Sequence, residues 1–339
     1  MSDLRNTRIV LASRPQGAPV AANFRLEQEL VADPGPDDVL LRNVYLSLDP
    51  YMRGRMDEGR SYSPPVALND VMEGRTVSEV LVSRTPDFQP GDLVVATGGW
   101  QTHAVLPAAQ LTRRLDPQGP PLSTALGVFG MPGFTAYAGL QEIGKVQPGE
   151  TLVVAAASGP VGATVGQLAK MQGARVVGIA GGEAKRAYLE QIGFDVALDH
   201  RADQFEAALA AATPDGVDVY FENVGGKVFD AVLPRLNDFA RIPVCGTIST
   251  YNTRDHVFPG PDRVPGLLSQ ILRQRLRFQG FIQRDFIALF PKFEREMSGW
   301  LAEQKIHYKE DIVEGLQHAP EAFFGLLQGR NFGKLLVRL

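Results

Sequence analysis

The chain has 339 residues, 44% of them hydrophobic and 21% charged, which is enough for two domains with substantial cores. A net charge of −4 argues against a nucleic-acid binder, and no apolar run reaches membrane-spanning length. A single cysteine, Cys245, and five scattered histidines leave no internal disulfide and no Cys₄ zinc site within one chain, and suit a reducing cytoplasm with no bound metal.

The first residues carry Asp3, Arg5 and Arg8 around a short apolar run, Ile9 to Ala12, and do not read as a signal peptide. Residues 1 to about 125 are β-rich, with Val39 to Tyr45, Gly91 to Ala96 and Gln101 to Leu106 as strands. Proline and glycine turns separate them, among them Asp49-Pro50 and Gln89-Pro90-Gly91-Asp92, so a compact barrel-like β domain is the natural assembly. Inside it, Ser47 to Met56 (SLDPYMRGRM) is rich for a loop. Either it is a hairpin corner with solvated arginines, or Tyr51 and Met52 reach into a substrate pocket.

Gly130 to Leu140 (GMPGFTAYAGL) turns and then reads as a helix. The stretch that organises the remainder is Thr151 to Gly166 (TLVVAAASGPVGATVG): a buried strand, a small-residue turn and an apolar helix. Such a turn lets main-chain N–H groups approach a pyrophosphate, and the helix N-terminus adds unpaired donors. Pro160 suits the first helical position, and Gly162 and Gly166 allow close packing, although Ala157 stands where G-x-G-x-x-G has its first glycine.

Strands at Arg175 to Ile179, Asp195 to Leu198, Val217 to Phe221 and Ala240 to Cys245 alternate with helices at Glu183 to Ile192, Asp203 to Ala212 and Gly226 to Leu236. This is the pattern of a doubly wound parallel α/β sheet, whose ligands bind at the carboxyl ends of the strands. Tyr251 to Gly266 reads as a turn-rich loop. Arg273, Arg275 and Arg277 share one face if that segment is a strand, but no single face of a helix. Phe293, Met297, Trp300 and Leu301 form a helical core stripe, and Gly333 to Leu339 closes the chain as a strand.

Sites specific for NAD place a carboxylate at the end of the second strand. Here that strand ends in Gly181-Gly182, and Lys185 and Arg186 follow on the next helix, where a cation favours NADP by pairing with the 2′-phosphate. Glu183 argues the other way, but it comes after the glycine pair and suits a first helical turn.

With these stretches read, the chain resembles the zinc-independent medium-chain reductases, in the group of leukotriene B4 dehydrogenase/prostaglandin reductases, alkenal double-bond reductases and bacterial NADPH-dependent curcumin reductases. LSLDPYMRGRM (46–56), GMPGFTAY (130–137), AAASGPVGATVGQLAK (155–170), FENVGG (221–226), CGTISTYN (245–252) and GRNFGK (329–334) carry the resemblance. It implies a Rossmann domain, 130–301, inserted into a GroES-like catalytic domain, 1–129 plus 302–339. It also implies NADPH as cofactor, reduction of carbon–carbon double bonds conjugated to a carbonyl, and a homodimer.

Carried over residue by residue, the cofactor positions are Gly159, Pro160, Val161, Gly162, Lys185, Asn223, Cys245, Gly246, Thr247, Ser249, Tyr251, Phe281, Ile282 and Asn331. His200 stands where relatives often have a tyrosine on the adenosine side. Tyr251 is the implied donor to the substrate carbonyl, or else a packing tyrosine, and Tyr51, Met52, Tyr62 and Met131 are the implied substrate walls. A quinone reductase and a cofactor-binding protein without turnover are the rival readings. A zinc alcohol dehydrogenase is disfavoured by the cysteine count, and a serine hydrolase because Ser158 lacks G-x-S-x-G context.

Overall fold

A computed structural model describes residues 3–253 and 262–339. The chain divides into two units, Met1–Gly127 with Glu310–Leu339, and Val128–Lys309.

The first unit begins with β1 (Arg5–Leu11) and β2 (Phe24–Leu30), an antiparallel pair. There follow β3 (Asp38–Ser47), a single helical turn α1 (Met52–Arg55), β4 (Thr76–Ser83), β5 (Leu93–Ala96), β6 (His103–Pro107) and β7 (Arg113–Leu115).

The second unit opens with α2 (Met131–Ala138), which runs on into one π-helical stretch, Gly139–Gly144. Its parallel strands and helices alternate: β8 (Thr151–Val154), α3 (Pro160–Met171), β9 (Arg175–Ala180), α4 (Glu183–Gln191), β10 (Val196–Asp199), α5 (Phe205–Ala212), β11 (Val217–Phe221), α6 (Gly226–Val232) and β12 (Leu236–Val244). Then come α7 (Val264–Gln274), β13 (Arg277–Gly280) and α8 (Phe290–Ala302). The chain returns to the first unit as β14 (Glu310–Glu314), α9 (Ala319–Leu327) and β15 (Lys334–Arg338).

The parallel sheet runs β10-β9-β8-β11-β12-β13, so the strand order reverses between β8 and β11. Along β8, Leu152 and Val154 enter one apolar core while Val153 and Ala155 enter the other. Both faces are covered by helices, and the strands therefore read as continuous apolar runs instead of alternating ones. The α8 stripe packs as expected: Phe293 and Met297 are fully buried, the Phe293 ring lies against Phe134 and Tyr137, and Trp300 and Leu301 are half-buried beside them.

In the first unit the order is β14-β15-β3-β4-β5-β7, with β6 also on β3. The closing strand β15 pairs antiparallel with β3, Leu336 opposite Ser47, so the carboxyl-terminal segment completes this sheet. Its core stacks Trp100 on Phe24 at 5.6 Å and sets Phe323 edge-on at 5.7 Å. Lys334 and Asp49 form a buried ion pair at 2.7 Å within it.

Arg273 lies in the last turn of α7, Arg275 is its left-handed cap (φ 53°) and Arg277 opens β13, so the segment is no single strand and the face a strand would give does not form. Two expectations change. The loop from Tyr251 ends before Val264, where α7 begins; its middle, 254–261, lies outside the described residues. The second unit runs on to Lys309 rather than ending at 301, because Ile306 is buried in its core and the Gln167 amide brackets His307, accepting from its N–H at 2.7 Å and donating to its C=O at 2.9 Å.

Candidate active site

The turn after β8 is fixed by main chain. Ala155 N–H donates to Phe221 C=O at 3.2 Å and Ala157 N–H to Ile179 C=O at 2.9 Å, which ties the strand's end to both neighbours. Ala156 sits exposed at φ 50°, a left-handed conformation costing a non-glycine residue on the order of 1 kcal/mol. Gly159 caps α3 in extended conformation and Pro160 takes the first helical position, as expected. Val161 and Gly162 follow, with N–H groups that have no acceptor within the helix.

A β-carbon on Gly162 would stand 2.6 Å from Ala156 O and 2.7 Å from Ala157 Cα, so the helix can approach the turn only with glycine there. Gly166 and Gly178 serve a different neighbour: β-carbons on them would strike the Phe194 ring at 2.0 and 2.6 Å. The result is a cradle of main-chain donors without intrahelical acceptors at a helix N-terminus, which fits a pyrophosphate.

At the reversal point, Asn223 donates its amide N–H to Ala155 C=O at 2.8 Å and joins the carboxyl ends of β11 and β8. The buried Glu222 carboxylate accepts the N–H groups of Val224 and Gly225 and the Tyr220 hydroxyl. Burial nevertheless raises its pKa above the usual carboxylate range. Glu222 C=O accepts from Cys245 N–H at 2.9 Å and Gly246 N–H at 3.2 Å, and Val224 C=O accepts from Ser249 N–H at 3.0 Å. The segment Cys245–Tyr251 is thus laced to the Asn223–Gly226 turn.

Within that segment Thr247 precedes a short 3₁₀ turn, Ile248–Thr250, and Tyr251 follows half-buried. Its ring folds back, so that a β-carbon on Gly246 would lie 2.9 Å from the Tyr251 hydroxyl. Burial, aided by the Glu222 charge, pushes the Cys245 thiol up to about 12, which leaves it a protonated packing group.

On the adenosine side, Lys185 is half-buried in the first turn of α4. Arg186 does not share its role: its Nε donates to Ala197 C=O at 3.0 Å, turned into β10. His200, half-buried, lies just past β10 with its pKa lowered by burial and by the nearby charges of Arg201, Lys227 and Lys185.

The first unit gathers Tyr51 and Tyr62 around Arg55. The guanidinium lies 5.7 Å from the Tyr51 ring centroid and 4.3 Å from that of Tyr62, pairs with Glu73 at 2.8 Å and donates to Ser63 C=O at 3.1 Å. Burial, then the charges of Asp49 and Glu73, raise the Tyr51 pKa, so its hydroxyl stays protonated. Solvated arginines were one of two alternatives for this loop; Arg55 is instead buried and ties the loop together.

Met52 corrects the expectation of a pocket wall. The turn of α1 sends it inward, fully buried in the Trp100 core, where it backs Tyr51 instead of facing a ligand. Phe281 is likewise buried, edge-on to Phe221 at 6.2 Å, so its ring belongs to the core; Ile282 beside it is half-buried. Met131 is half-buried at the start of α2. The Asn331 amide donates to Gly333 C=O at 2.9 Å in the first unit. Among the described residues no group of three or more His, Cys, Asp or Glu side chains is placed to hold a metal ion.

A doubly wound sheet with a glycine cradle at its reversal point, joined in one chain to a mainly antiparallel unit, is the architecture of a dinucleotide-dependent oxidoreductase. Comparison with known proteins agrees. Residues 7–113 match the profile described as the N-terminal domain of oxidoreductase, and 160–300 the one described as zinc-binding dehydrogenase. The NADPH-dependent curcumin reductase of Escherichia coli (strain K12) is 58% identical over 338 residues, spanning 99% of this chain and 97% of that protein. The 2-alkenal reductase (NADP(+)-dependent) of Nicotiana tabacum is 40% identical, spanning 99% and 98%. The solved structure of CurA in complex with NADPH from Vibrio vulnificus superposes with a TM-score of 0.94 at 51% identity, covering 99% of both chains. The chain belongs to the zinc-independent medium-chain dehydrogenase/reductase family, in the group of the curcumin, alkenal and prostaglandin reductases.

Proposed function

We propose that the protein uses NADPH to reduce the carbon–carbon double bond of α,β-unsaturated ketones and aldehydes. The observation that carries this reading is the Gly162 cradle beside the basic residues gathered past β9 and β10, which fits a phosphorylated dinucleotide. When bound, NADPH supplies the hydride for the β-carbon of the enone.

The chain's own groups do the remainder. The α3 N-terminus binds the pyrophosphate, and Lys185 the 2′-phosphate. The main chain of Cys245–Tyr251, held by Glu222, fixes where Tyr251 stands. Its hydroxyl donates to the substrate carbonyl oxygen, and the bond strengthens as that oxygen takes on enolate charge. The α-carbon then takes its proton from water. Within the first unit, Arg55 holds the rings of Tyr51 and Tyr62 together.

NADPH loss followed by absorbance against small alkenals, long-chain enones, diarylheptanoids and quinones tests the reading. Enones should be consumed faster than quinones; the reverse order would make the protein a quinone reductase. Tyr251→Phe should slow enone turnover on the order of tenfold to a hundredfold and leave NADPH affinity nearly unchanged. Unaltered turnover removes Tyr251 from the chemistry.

We place the protein in the cytoplasm, where a lone thiol stays reduced, and recovery outside that fraction would contradict the assignment. It works as a homodimer. In support, β13 is an outer strand of the sheet, and α7 exposes an apolar stripe of Val264, Leu268 and Leu272 at 59%, 59% and 78%. Sedimentation equilibrium should give twice the mass of one chain; a single-chain mass refutes the dimer.

A further inference from the structure

The carboxyl ends of β9 and β10 lie side by side, with Asp199 opposite Ala180 in parallel register. The residues that follow them, Gly181-Gly182 and His200-Arg201, meet across that edge. A β-carbon on Gly181 would stand 2.8 Å from Arg201 Nε, 2.9 Å from Arg201 Cζ and 3.0 Å from His200 Nε2. The missing side chain at 181 is therefore what lets a guanidinium and an imidazole lie over the end of β9.

One carboxylate fixes both turns. Asp199 accepts Gly182 N–H at 3.0 Å and Arg201 N–H at 2.9 Å, so it holds the main chain on each side of the edge. That geometry commits its oxygens to amides and not to the guanidinium. Among the described residues the Arg201 side chain is exposed and has no ion pair or hydrogen bond. Lys185 from α4 and Lys227 from α6 act on the same imidazole, His200, as Arg201 does. Arg201 and His200 thus lie together over the end of β9, with the Asp199 carboxylate holding the main chain beside them.

We infer that Arg201 is a second ligand, beside Lys185, for the 2′-phosphate of NADPH and a determinant of the preference for NADPH over NADH. This rests on the cofactor reading above. A guanidinium offers two parallel N–H donors to two phosphate oxygens and keeps its charge at any working pH. The bare 2′-hydroxyl of NADH offers it no charge to pair with.

Calorimetric titration of the full chain with NADPH and with NADH tests this. Arg201→Gln should weaken NADPH about tenfold, or ~1.4 kcal/mol, and change NADH less than about twofold. The fragment 2′,5′-ADP should lose affinity in parallel with NADPH, and 5′-AMP should not. Arg201→Lys should recover part of the loss, and Lys185→Ala should also weaken NADPH more than NADH. Arg201 is exposed, so its variants should melt with the parent protein. If the parent prefers NADPH and Arg201→Gln keeps the same preference, Arg201 is not a ligand and the cofactor reading stands. If the parent shows no preference for NADPH, the cofactor reading falls and this inference with it.

Discussion

The two edges of the parallel sheet use charge in opposite ways. At the amino edge charges are closed off in pairs: Lys170 with Asp195 at 2.9 Å, and Arg241 with Glu150 at 2.5 Å. Asp218 there accepts Thr151 N–H and the Asn237 amide, and Arg175 donates to Ala212 C=O. At the carboxyl edge, the Arg201 guanidinium lies with the His200 imidazole over the end of β9, and the turn after β8 leads into a helix N-terminus. Paired charges stabilise the fold without a ligand. Main-chain donors at a helix N-terminus lack partners until an acceptor arrives, which is why one edge is scaffold and the other is site.

The sharpest way to break that contrast is Gly162→Val. The added side chain meets main-chain atoms of the Ala156-Ala157 turn at 2.6 and 2.7 Å, and those atoms cannot yield without losing the hydrogen bonds to Phe221 and Ile179. We expect a loss of about 3 kcal/mol in stability and no measurable NADPH binding, read by thermal melts and calorimetry. Gly159→Ala is the control, because its β-carbon would approach Ala156 O only to 3.3 Å. Equal damage from both would mean that the turn is not the tight element described. The Arg201 and Lys185 variants belong one step lower, since they remove a ligand contact and leave the scaffold whole.

The same contrast explains what could be read without a structure. The cradle was legible because its requirements are local: Pro160 at the first helical position, Gly162 against the turn, apolar strands covered on both faces. Six parallel strands follow the same logic except β13, whose residues RFQG are mostly polar and exposed and form no apolar run. The hairpin of β1 and β2 was missed, since Phe24–Leu30 reads FRLEQEL and carries charges on an exposed strand. Arg201 was missed because its meaning comes from a strand neighbour, β9, twenty residues back; a glycine where an acid is expected was the available clue. Tyr51 and Met52 were read together, yet Met52 is fully buried in the core while Tyr51 packs half-buried at its margin. Only tertiary packing separates them.

The smallest effect tests the amino edge, and its sign can be worked out. Asp195 accepts from Lys170 Nζ on both oxygens at 2.9 Å and from Val176 N–H at 2.7 Å. Burial pushes its pKa up, but the Lys170 and Val176 hydrogen bonds and the charges of Lys170 and Arg175 outweigh it, so the carboxyl is held below the usual range. The folded value therefore lies under the unfolded one, near 3.9. Above that pH the ionised carboxylate contributes stability, and the contribution is lost as pH falls through the folded value. Asp195→Asn keeps an oxygen for Val176 N–H, and removes the charge and one of the two oxygens that accept from Lys170. Urea melts should show the variant about 1 kcal/mol less stable at pH 7, with the gap closing below about pH 4, while NADPH affinity at pH 7 stays put. A gap that is constant with pH would assign the effect to packing, and a loss of NADPH affinity would show that the two edges are not separable.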